Sequence, residues 1–190
     1  MAGRRMGPPD AAVRFRLLDA TERVIARDGY PSVTSRNVGR EAGVDQKLVF
    51  YYFRTMEELV VATFHRRSEA FLARLEEIAS FDRPIRQIWA VSSDRSGRLM
   101  MEFMAMAMRN PALRAEVRDY SLRANAIIEG ALVRELPKTK LDPAIFTPAF
   151  MNFLIASLAR NLTSEGELEI LADPGPHRRS MEAWLDDLGL

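Results

Sequence analysis

Apolar residues recur every three to four positions along most of this chain, the spacing that places them on one face of an α-helix. We expect a first helix that begins near Asp10, a residue able to cap it, and that ends at Gly29. Thr55 and Glu58 form a capping-box pattern at the start of a long helix, about 56–79. Later helices are expected over about 85–91, 99–108, 112–136, 143–162 and 178–188. No segment alternates with period two, so the sequence predicts an all-α fold.

Two helix-start signals follow one another in the N-terminal part of the chain. In the first, the hydroxyl of Thr34 can accept a hydrogen bond from a free helix N–H group. Val33 and Val38 stand where a hydrophobic staple would close around that cap. The pattern indicates that a short helix begins directly after Thr34.

The second start signal repeats the first, with Asp45 as the cap and with Val44 and Val49 as the staple. Before it, Gly43 can take the left-handed backbone conformation that ends one helix and turns the chain into the next. We therefore expect helices over about 35–42 and 46–53. Two short helices joined in this way are typical of a helix-turn-helix, whose second helix normally lies in the major groove of DNA.

Composition excludes several other classes of protein. A chain of 190 residues with 47% hydrophobic and 28% charged residues can bury a core. It contains no Cys and two His, which excludes disulfides and thiolate zinc sites, and we expect neither a metal nor a cofactor. No nucleophile elbow, phosphate loop or triad is present, so an enzyme is not expected. No apolar run approaches membrane-spanning length and no signal peptide is evident, which predicts a cytoplasmic protein.

The charge of the chain is distributed unevenly. Residues 1–56 hold ten Lys or Arg against six Asp or Glu, a balance of +4, whereas the remainder holds seventeen against twenty, a balance of −3. The positive excess therefore coincides with the predicted helix-turn-helix. A local basic excess favours contact with phosphate groups, although many domains with this balance bind no nucleic acid.

The first 60 or so residues resemble the TetR family of bacterial transcription regulators. The residues that carry the resemblance are Ala20 to Tyr30, Thr34-Ser35-Arg36, Ala42-Gly43-Val44, Tyr51-Tyr52-Phe53 and Glu57-Glu58-Leu59. This chain departs from the family pattern at Phe50, where Tyr is usual, and at Met56, where Lys is usual. Losing that Lys would remove one phosphate contact, for which Arg54, or Arg4 and Arg5, could compensate.

The resemblance implies a homodimer with two kinds of domain. Residues 1–55 would form the helix-turn-helix DNA-binding domain. Within it, residues 1–9 are rich in Gly, Pro and Arg and have no periodicity, which predicts a mobile arm. Residues 56–190 would form a C-terminal helical domain that binds a small-molecule effector and dimerises.

Residues at the start of the second helix are candidates for DNA contact. Thr34 and Ser35 lie at a helix N-terminus, where free N–H groups favour a DNA phosphate. Thr34 could also act as a cap alone. By its place in the family motif, Arg36 could reach a base edge and pair with guanine, or it could be a solvated surface charge.

The third helix supplies the other DNA-binding candidates. Gln46 could read adenine, and Lys47 could contact guanine or a phosphate. Tyr51 and Tyr52 suit phosphate hydrogen bonds, and the alternative is that at most one of them serves packing instead. Val49 and Phe50 are expected to turn inward to the core.

The C-terminal part offers candidates for an effector site and a dimer interface, with intramolecular core as the alternative for each. A Met-rich segment near residue 104 indicates either an adaptable apolar pocket or ordinary core. The proposed pocket walls are Trp89, Phe103, Met104 and Phe150. The proposed dimer contacts, which resemble the paired late helices of the family, are Phe146, Phe153, Leu154, Leu158 and Trp184.

These expectations combine into a ligand-responsive transcriptional regulator, with a repressor preferred. It would bind a pseudo-palindromic operator as a dimer and be released by a small, apolar molecule. The alternative is a helical small-molecule binding or carrier protein without DNA binding, for which Met56 is the supporting feature.

Overall fold

The computed structural model describes residues 12–93 and 97–190, and these residues form helices, turns and no strands. The predicted cap Asp10 and the predicted arm over 1–9, with Arg4 and Arg5, lie outside the described residues. The helices are α1 (Ala12–Asp28), α2 (Ser35–Ala42), α3 (Lys47–Tyr52), α4 (Met56–Ala79), α5 (Pro84–Ser92), α6 (Gly97–Ala107), α7 (Pro111–Glu135), α8 (Pro148–Glu167) and α9 (Gly175–Leu188). The all-α prediction is confirmed.

The chain divides into two compact units. One comprises Met1–Ser68 with Leu99–Arg118, and the other comprises Glu69–Arg98 with Asp119–Leu190. Helices α4 and α7 therefore each contribute to both units. Compactness alone does not say which residues bind DNA, so the functional boundary between residues 55 and 56 stays a prediction.

The first unit buries the apolar positions that the helical spacing indicated. Leu17, Leu18 and Ile25 of α1 are almost fully buried, as are several apolar residues later in this unit. Those residues are Val38, Val49, Phe53, Leu59, Phe64, Phe103 and Leu113. The rings of Phe64 and Phe103 meet edge to face with centroids 5.2 Å apart. The three N-terminal helices thus rest on one another and on the first part of α4.

The start of α4 has the predicted capping box. Thr55 Oγ1 accepts a hydrogen bond from the Glu58 N–H at 3.0 Å, and Glu58 Oε2 accepts from the Arg54 N–H at 3.0 Å. These two bonds satisfy backbone donors that a helix start leaves free. Because α4 begins directly after α3, they also fix the end of the helix-turn-helix.

The second unit has a core drawn from five helices. Trp89 and Ile88 of α5 pack among buried apolar residues of α4, α7, α8 and α9. The members from those helices include Leu75, Ile128, Leu132, Met151, Ile155, Met181 and Leu185. Each helix contributes one apolar face to this core, as amphipathic helices do.

The start of α8 corrects the sequence prediction. The helix was expected from about residue 143, but it begins at Pro148, with Thr147 as its cap. Thr147 Oγ1 accepts from the Phe150 N–H at 3.2 Å, while Asp142 Oδ1 holds a separate turn by accepting from the Ala144 N–H at 2.9 Å. Pro143 and Pro148 each offer a possible first residue for this helix. The helix begins at Pro148, which follows the hydroxyl cap. Helix α9 likewise begins three residues earlier than expected, at Gly175.

No helix among the described residues is long and apolar enough to cross a membrane.

Candidate DNA-binding site

Helix α2 begins with the cap that the sequence predicted. Thr34 has extended backbone geometry, with φ −117° and ψ 155°, and its side chain accepts from the Asn37 N–H at 3.2 Å. Val33 and Val38 are both buried, as a hydrophobic staple requires. Thr34 itself stays exposed and Ser35 half-buried, which leaves the remaining N–H groups of the first turn facing outward.

The turn between α2 and α3 depends on two glycines for different reasons. Gly43 is left-handed, with φ 65°, and its N–H donates to Arg40 O and Gly39 O while the Val44 N–H donates to Gly39 O at 2.9 Å. Gly39 has ordinary helical geometry but lies against the turn: a Cβ there would stand 3.0 Å from Gln46 Cα and 3.1 Å from Val44 O. The backbone of the turn therefore packs directly on α2.

Helix α3 is held by Asp45 at its start and by two apolar residues behind it. Gln46 occupies the N-cap position of α3 without a side-chain cap bond, and the predicted cap Asp45 acts from one residue earlier, where its Oδ1 accepts from the Lys47 N–H at 2.8 Å. Val49 and Phe53 are buried, and the Arg14 guanidinium lies 5.1 Å from the centre of the Phe53 ring. Lys47 is on the opposite face of the helix and is exposed.

Phe50 does not lie in the core, contrary to the prediction. Its side chain is 40% exposed, whereas Val49 is buried. Successive residues of a helix point about 100° apart, so a helix of six residues that turns Val49 and Phe53 inward leaves Phe50 at the edge. It lies one turn after Gln46 on the outward side, and the sequence interpretation missed it as a candidate contact.

The tyrosines at the end of α3 differ in exposure. Tyr51 is 40% exposed and lies one turn after Lys47 on the same face, whereas Tyr52 is half-buried. Their rings meet edge to face with centroids 5.0 Å apart. Tyr51 therefore presents its phenol outward while Tyr52 also packs.

Several arginines near the site are committed to internal ion pairs. Arg23 Nε lies 2.7 Å and Arg27 Nη1 lies 3.0 Å from the two carboxylate oxygens of Glu41 on α2. Hydrogen bonds from Arg23 and then Arg27 lower the pKa of the Glu41 carboxyl below its usual value. Arg66 of α4 similarly pairs with Asp19 of α1 at 2.6 Å. These pairs hold α1, α2 and α4 together and neutralise their charges.

By contrast, three polar side chains of the helix-turn-helix have no internal partner. Within residues 12–93 and 97–190, Arg36, Gln46 and Lys47 make no side-chain hydrogen bond or ion pair, and all three are exposed. The structure thus brings together the predicted polar candidates on the exposed surface of α2 and α3. An unneutralised Arg and Lys beside free helix N–H groups form an arrangement suited to an anion such as phosphate.

The four candidates for the effector pocket are divided between the two units. Phe103 and Met104 are on α6 of the first unit, the former buried and the latter 39% exposed. Trp89 and Phe150 belong to the second unit, where Trp89 is buried in the core and Phe150 is 39% exposed. Their shared role as pocket walls stays a prediction.

The candidates for the dimer interface fall into two groups. Phe153 is 62% exposed on the side of α8 away from its buried residues, and Leu158 is 43% exposed at the margin of the buried face. Three others are partly buried against the core of their own unit, namely Phe146, Leu154 and Trp184. The ring of Phe146 lies 6.2 Å from that of Phe150, so an apolar surface continues along this side of α8.

The two glycines of the turn give a first prediction. We expect Gly39→Ala to lower the free energy of unfolding of the N-terminal unit by about 1 to 3 kcal/mol, because the added methyl group must displace backbone atoms of the turn. Gly43→Ala is expected to cost about 1 to 2 kcal/mol, from left-handed geometry alone. Urea unfolding followed by circular dichroism measures both.

The matched variants separate the two mechanisms. Gly43→Asn should recover stability that Gly43→Ala loses, since Asn tolerates left-handed geometry. At position 39, no residue larger than Gly should recover the stability that Gly39→Ala loses. A Gly39→Ala protein as stable as the original chain would show that the turn does not pack on α2 as described.

Two short helices joined by a left-handed glycine, with unpaired polar side chains on the outer surface, define a helix-turn-helix protein. The sequence model of a family described as bacterial regulatory proteins, tetR family, matches residues 17–63. The HTH-type transcriptional regulator UidR of Escherichia coli K12 is 22% identical over 178 residues, which cover 90% of each chain. Residues 17–63 therefore match the tetR family, and over most of its length the chain is similar to a transcriptional regulator.

Solved structures share the fold over nearly the whole chain. NemR of Escherichia coli, in its reduced form, is 17% identical, with a TM-score of 0.76 and coverage of 93% of this chain and 97% of its own. A putative transcriptional regulator from Saccharomonospora viridis, in complex with choline, is also 17% identical with a TM-score of 0.76, covering 92% and 93%. The C-terminal helices therefore adopt the arrangement found in such regulators.

Proposed function

We propose that this regulator is a homodimeric repressor that binds a pseudo-palindromic operator and is released by a small molecule. The observation that supports DNA binding most directly is the contrast between paired and unpaired cations. Arg23, Arg27 and Arg66 are neutralised by carboxylates, whereas Arg36 and Lys47 are exposed without one in the described chain. Cations left unpaired on a helix-turn-helix are the groups that DNA phosphates and guanine edges bind.

The proposed contacts follow from where each side chain lies. Thr34 and Ser35 present the start of α2 to a phosphate, and Tyr51 and Tyr52 would donate phenolic hydrogen bonds to phosphates. Lys47, from the start of α3, would reach a guanine or a phosphate.

Two further residues of the site would read bases. Arg36 on α2 would pair with guanine, and Gln46 at the start of α3 would pair with adenine. Phe50, exposed beside Gln46, adds an apolar surface that suits a thymine methyl group.

In this proposal residues 1–55 bind DNA, and residues 56–190 bind the effector and dimerise. Helices α4 and α7 both contribute to the two compact units, and α4 follows α3 in the chain, so a change in the C-terminal helices would reach α3 through α4. An effector that binds one state better would alter the separation of the two α3 helices and weaken operator binding by linkage. The choline complex of the Saccharomonospora viridis regulator supports effector binding in this fold. We further propose a cytoplasmic protein with no catalytic activity.

DNA footprinting on the region upstream of the protein's own gene and of neighbouring genes tests this function. Protection of a palindrome is expected, and a compound that raises the melting temperature should release that DNA in a gel-shift titration. Binding of such compounds without any protected DNA would favour the alternative, a helical binding or carrier protein. If an authentic ligand released no operator DNA, that result would contradict the proposed coupling between effector binding and operator binding.

Met56 provides a second prediction, through a gain of binding. Its side chain is half-buried at the first residue of α4, where the family usually has Lys. Met56→Lys is expected to tighten operator binding and to steepen the dependence of log K on log salt by about 0.9 per added phosphate contact. Met56→Gln, which adds a polar side chain without charge, is the control. Parallel salt slopes for the Lys and Gln variants would show that residue 56 does not reach a phosphate, and that Arg54, exposed nearby, is the better candidate.

A further inference from the structure

The C-terminal end of α5 collects polar atoms that are buried and unpaired. Among the described residues, Trp89 Nε1, Ser93 Oγ and Arg178 Nε have no hydrogen-bond partner, although each atom is inaccessible to solvent. Trp89 and Ser93 are themselves almost fully buried. A buried donor without an acceptor costs free energy, and native proteins leave few of them.

Two backbone contacts relate these three residues to one another within the second unit. Ser93 follows Trp89 by one helical turn, on the same face, and its N–H donates to Trp89 O at 2.9 Å. From the first turn of α9, the Arg178 guanidinium donates through Nη2 to Ser93 O. The Arg178 guanidinium therefore lies at the end of α5, one helical turn after Trp89.

Among the described residues, no carboxylate neutralises the charge of Arg178. Arg86, which joins the same two helices, lies 2.8 Å from Asp186 and 3.6 Å from Glu182. Arg178 has no carboxylate partner in the described part of the chain, and it is half-buried. Its contact with the carbonyl of Ser93 offsets the charge only partly, through the negative end of the helix dipole.

The number and kind of the buried hydrogen-bond donors indicate which chemical group would bind to them. Trp and Arg nitrogens can only donate, and a Ser hydroxyl can rotate to donate. One water molecule accepts two hydrogen bonds, whereas a carboxylate offers about four lone-pair positions on two oxygens. A carboxylate also carries the single negative charge that balances one guanidinium, while a dianionic phosphate would leave a charge uncompensated.

We propose that Trp89, Ser93 and Arg178 form a site for the carboxylate of a small organic acid. This deepens the proposed effector binding and rests on it, by naming the chemical class of effector. The neighbouring core residues, which include Ile88, Met151 and Met181, are apolar, so the body of the acid would be apolar as well. Trp89 thus keeps its predicted place in the effector site, with its indole N–H as the specific contact.

Nuclear magnetic resonance of the indole N–H group tests the site directly. The chain has two Trp, so Trp184→Phe leaves Trp89 with the only indole resonance. Hexanoate and benzoate are expected to shift that resonance downfield in a saturable manner, because the N–H gains an acceptor. Hexanamide and benzamide, the neutral counterparts, are expected to leave it in place. Equal effects of acids and amides, or no effect of either acid, would overturn the proposal, the latter indicating bound water only.

Calorimetric titration of matched variants identifies the residues. Arg178→Gln should weaken binding of the acids by at least about tenfold, while Arg179→Gln, which removes an exposed charge one residue away, should not. Should Arg178→Gln fail to fold, Arg178→Lys and Ser93→Ala serve instead, each expected to weaken binding severalfold. Equal losses at Arg178 and Arg179 would contradict the site. DNA binding by the same protein is measured in parallel. DNA binding without acid binding would refute only the carboxylate site, whereas acid binding without DNA binding would refute only the proposed DNA-binding function.

Discussion

Replacing Lys47 with Ala is expected to weaken operator binding by roughly thirtyfold or more. A single base or phosphate contact of this kind contributes about 1 to 3 kcal/mol, and the proposed dimer carries two copies. The side chain has no internal partner in the described chain, so its removal should leave the stability of the fold almost unchanged. Fluorescence anisotropy with labelled operator measures the affinity, and thermal unfolding checks the fold.

Two comparisons make the Lys47 result specific. Lys140→Ala removes an exposed Lys from the second unit and should leave DNA affinity unaltered. A titration in salt distinguishes the kinds of contact: a phosphate contact lowers the salt slope by about 0.9, whereas a guanine contact relaxes the preference at one base pair. Wild-type affinity in the Lys47 variant would remove the start of α3 from the interface.

The second large effect is expected at the exposed face of α8. Phe153 is 62% exposed, and it continues an apolar surface with Phe150 and Leu158. If this surface pairs with its copy in the dimer, Phe153→Glu places two unpaired carboxylates in a buried interface, a change that costs several kcal/mol. We therefore expect a monomer at concentrations where the original chain is a dimer, and a loss of operator binding of roughly a hundredfold or more.

Sedimentation velocity measures the oligomeric state of the Phe153 variant, and a gel shift measures its binding. Leu168→Glu is the matched control, because Leu168 is 66% exposed but follows α8. This variant should remain dimeric. A Phe153→Glu protein that dimerises as tightly as the original chain would place the interface elsewhere.

Local signals in the sequence were sufficient to locate the helix-turn-helix. Helix α2 begins and ends where the Thr34 cap and Gly43 indicated, and α4 begins after the predicted capping box. Both kinds of signal act through hydrogen bonds within four residues, so the sequence contains all the atoms concerned. Helix α8 shows the limit, since Asp142 and Thr147 each precede a Pro and each accept a hydrogen bond from the backbone two or three residues on, yet the helix begins only after Thr147.

Contacts distant in sequence were beyond such reasoning. Phe50 was assigned to the core because helical spacing was expected to turn it toward α1 together with Val49, yet Val49 and Phe53 fill the side of α3 that faces α1. The importance of Gly39 was equally hidden, because it depends on the closeness of Gln46 across the turn. The unpaired donors at the end of α5 involve Arg178, which is 85 residues from Ser93. No rule of residue spacing along the sequence predicts that Arg178 contacts Ser93.

Selection of bound sequences from a random pool of double-stranded DNA tests whether α2 and α3 bind DNA. We expect enrichment of two inverted half-sites, with centres about 34 to 36 Å apart or a multiple of that distance, one for each α3 of the dimer. The Arg36→Ala, Lys47→Ala double variant should enrich nothing. Absence of any enriched sequence with the unaltered protein, or equal enrichment by the double variant, would contradict the assignment of α2 and α3 as the DNA-binding surface.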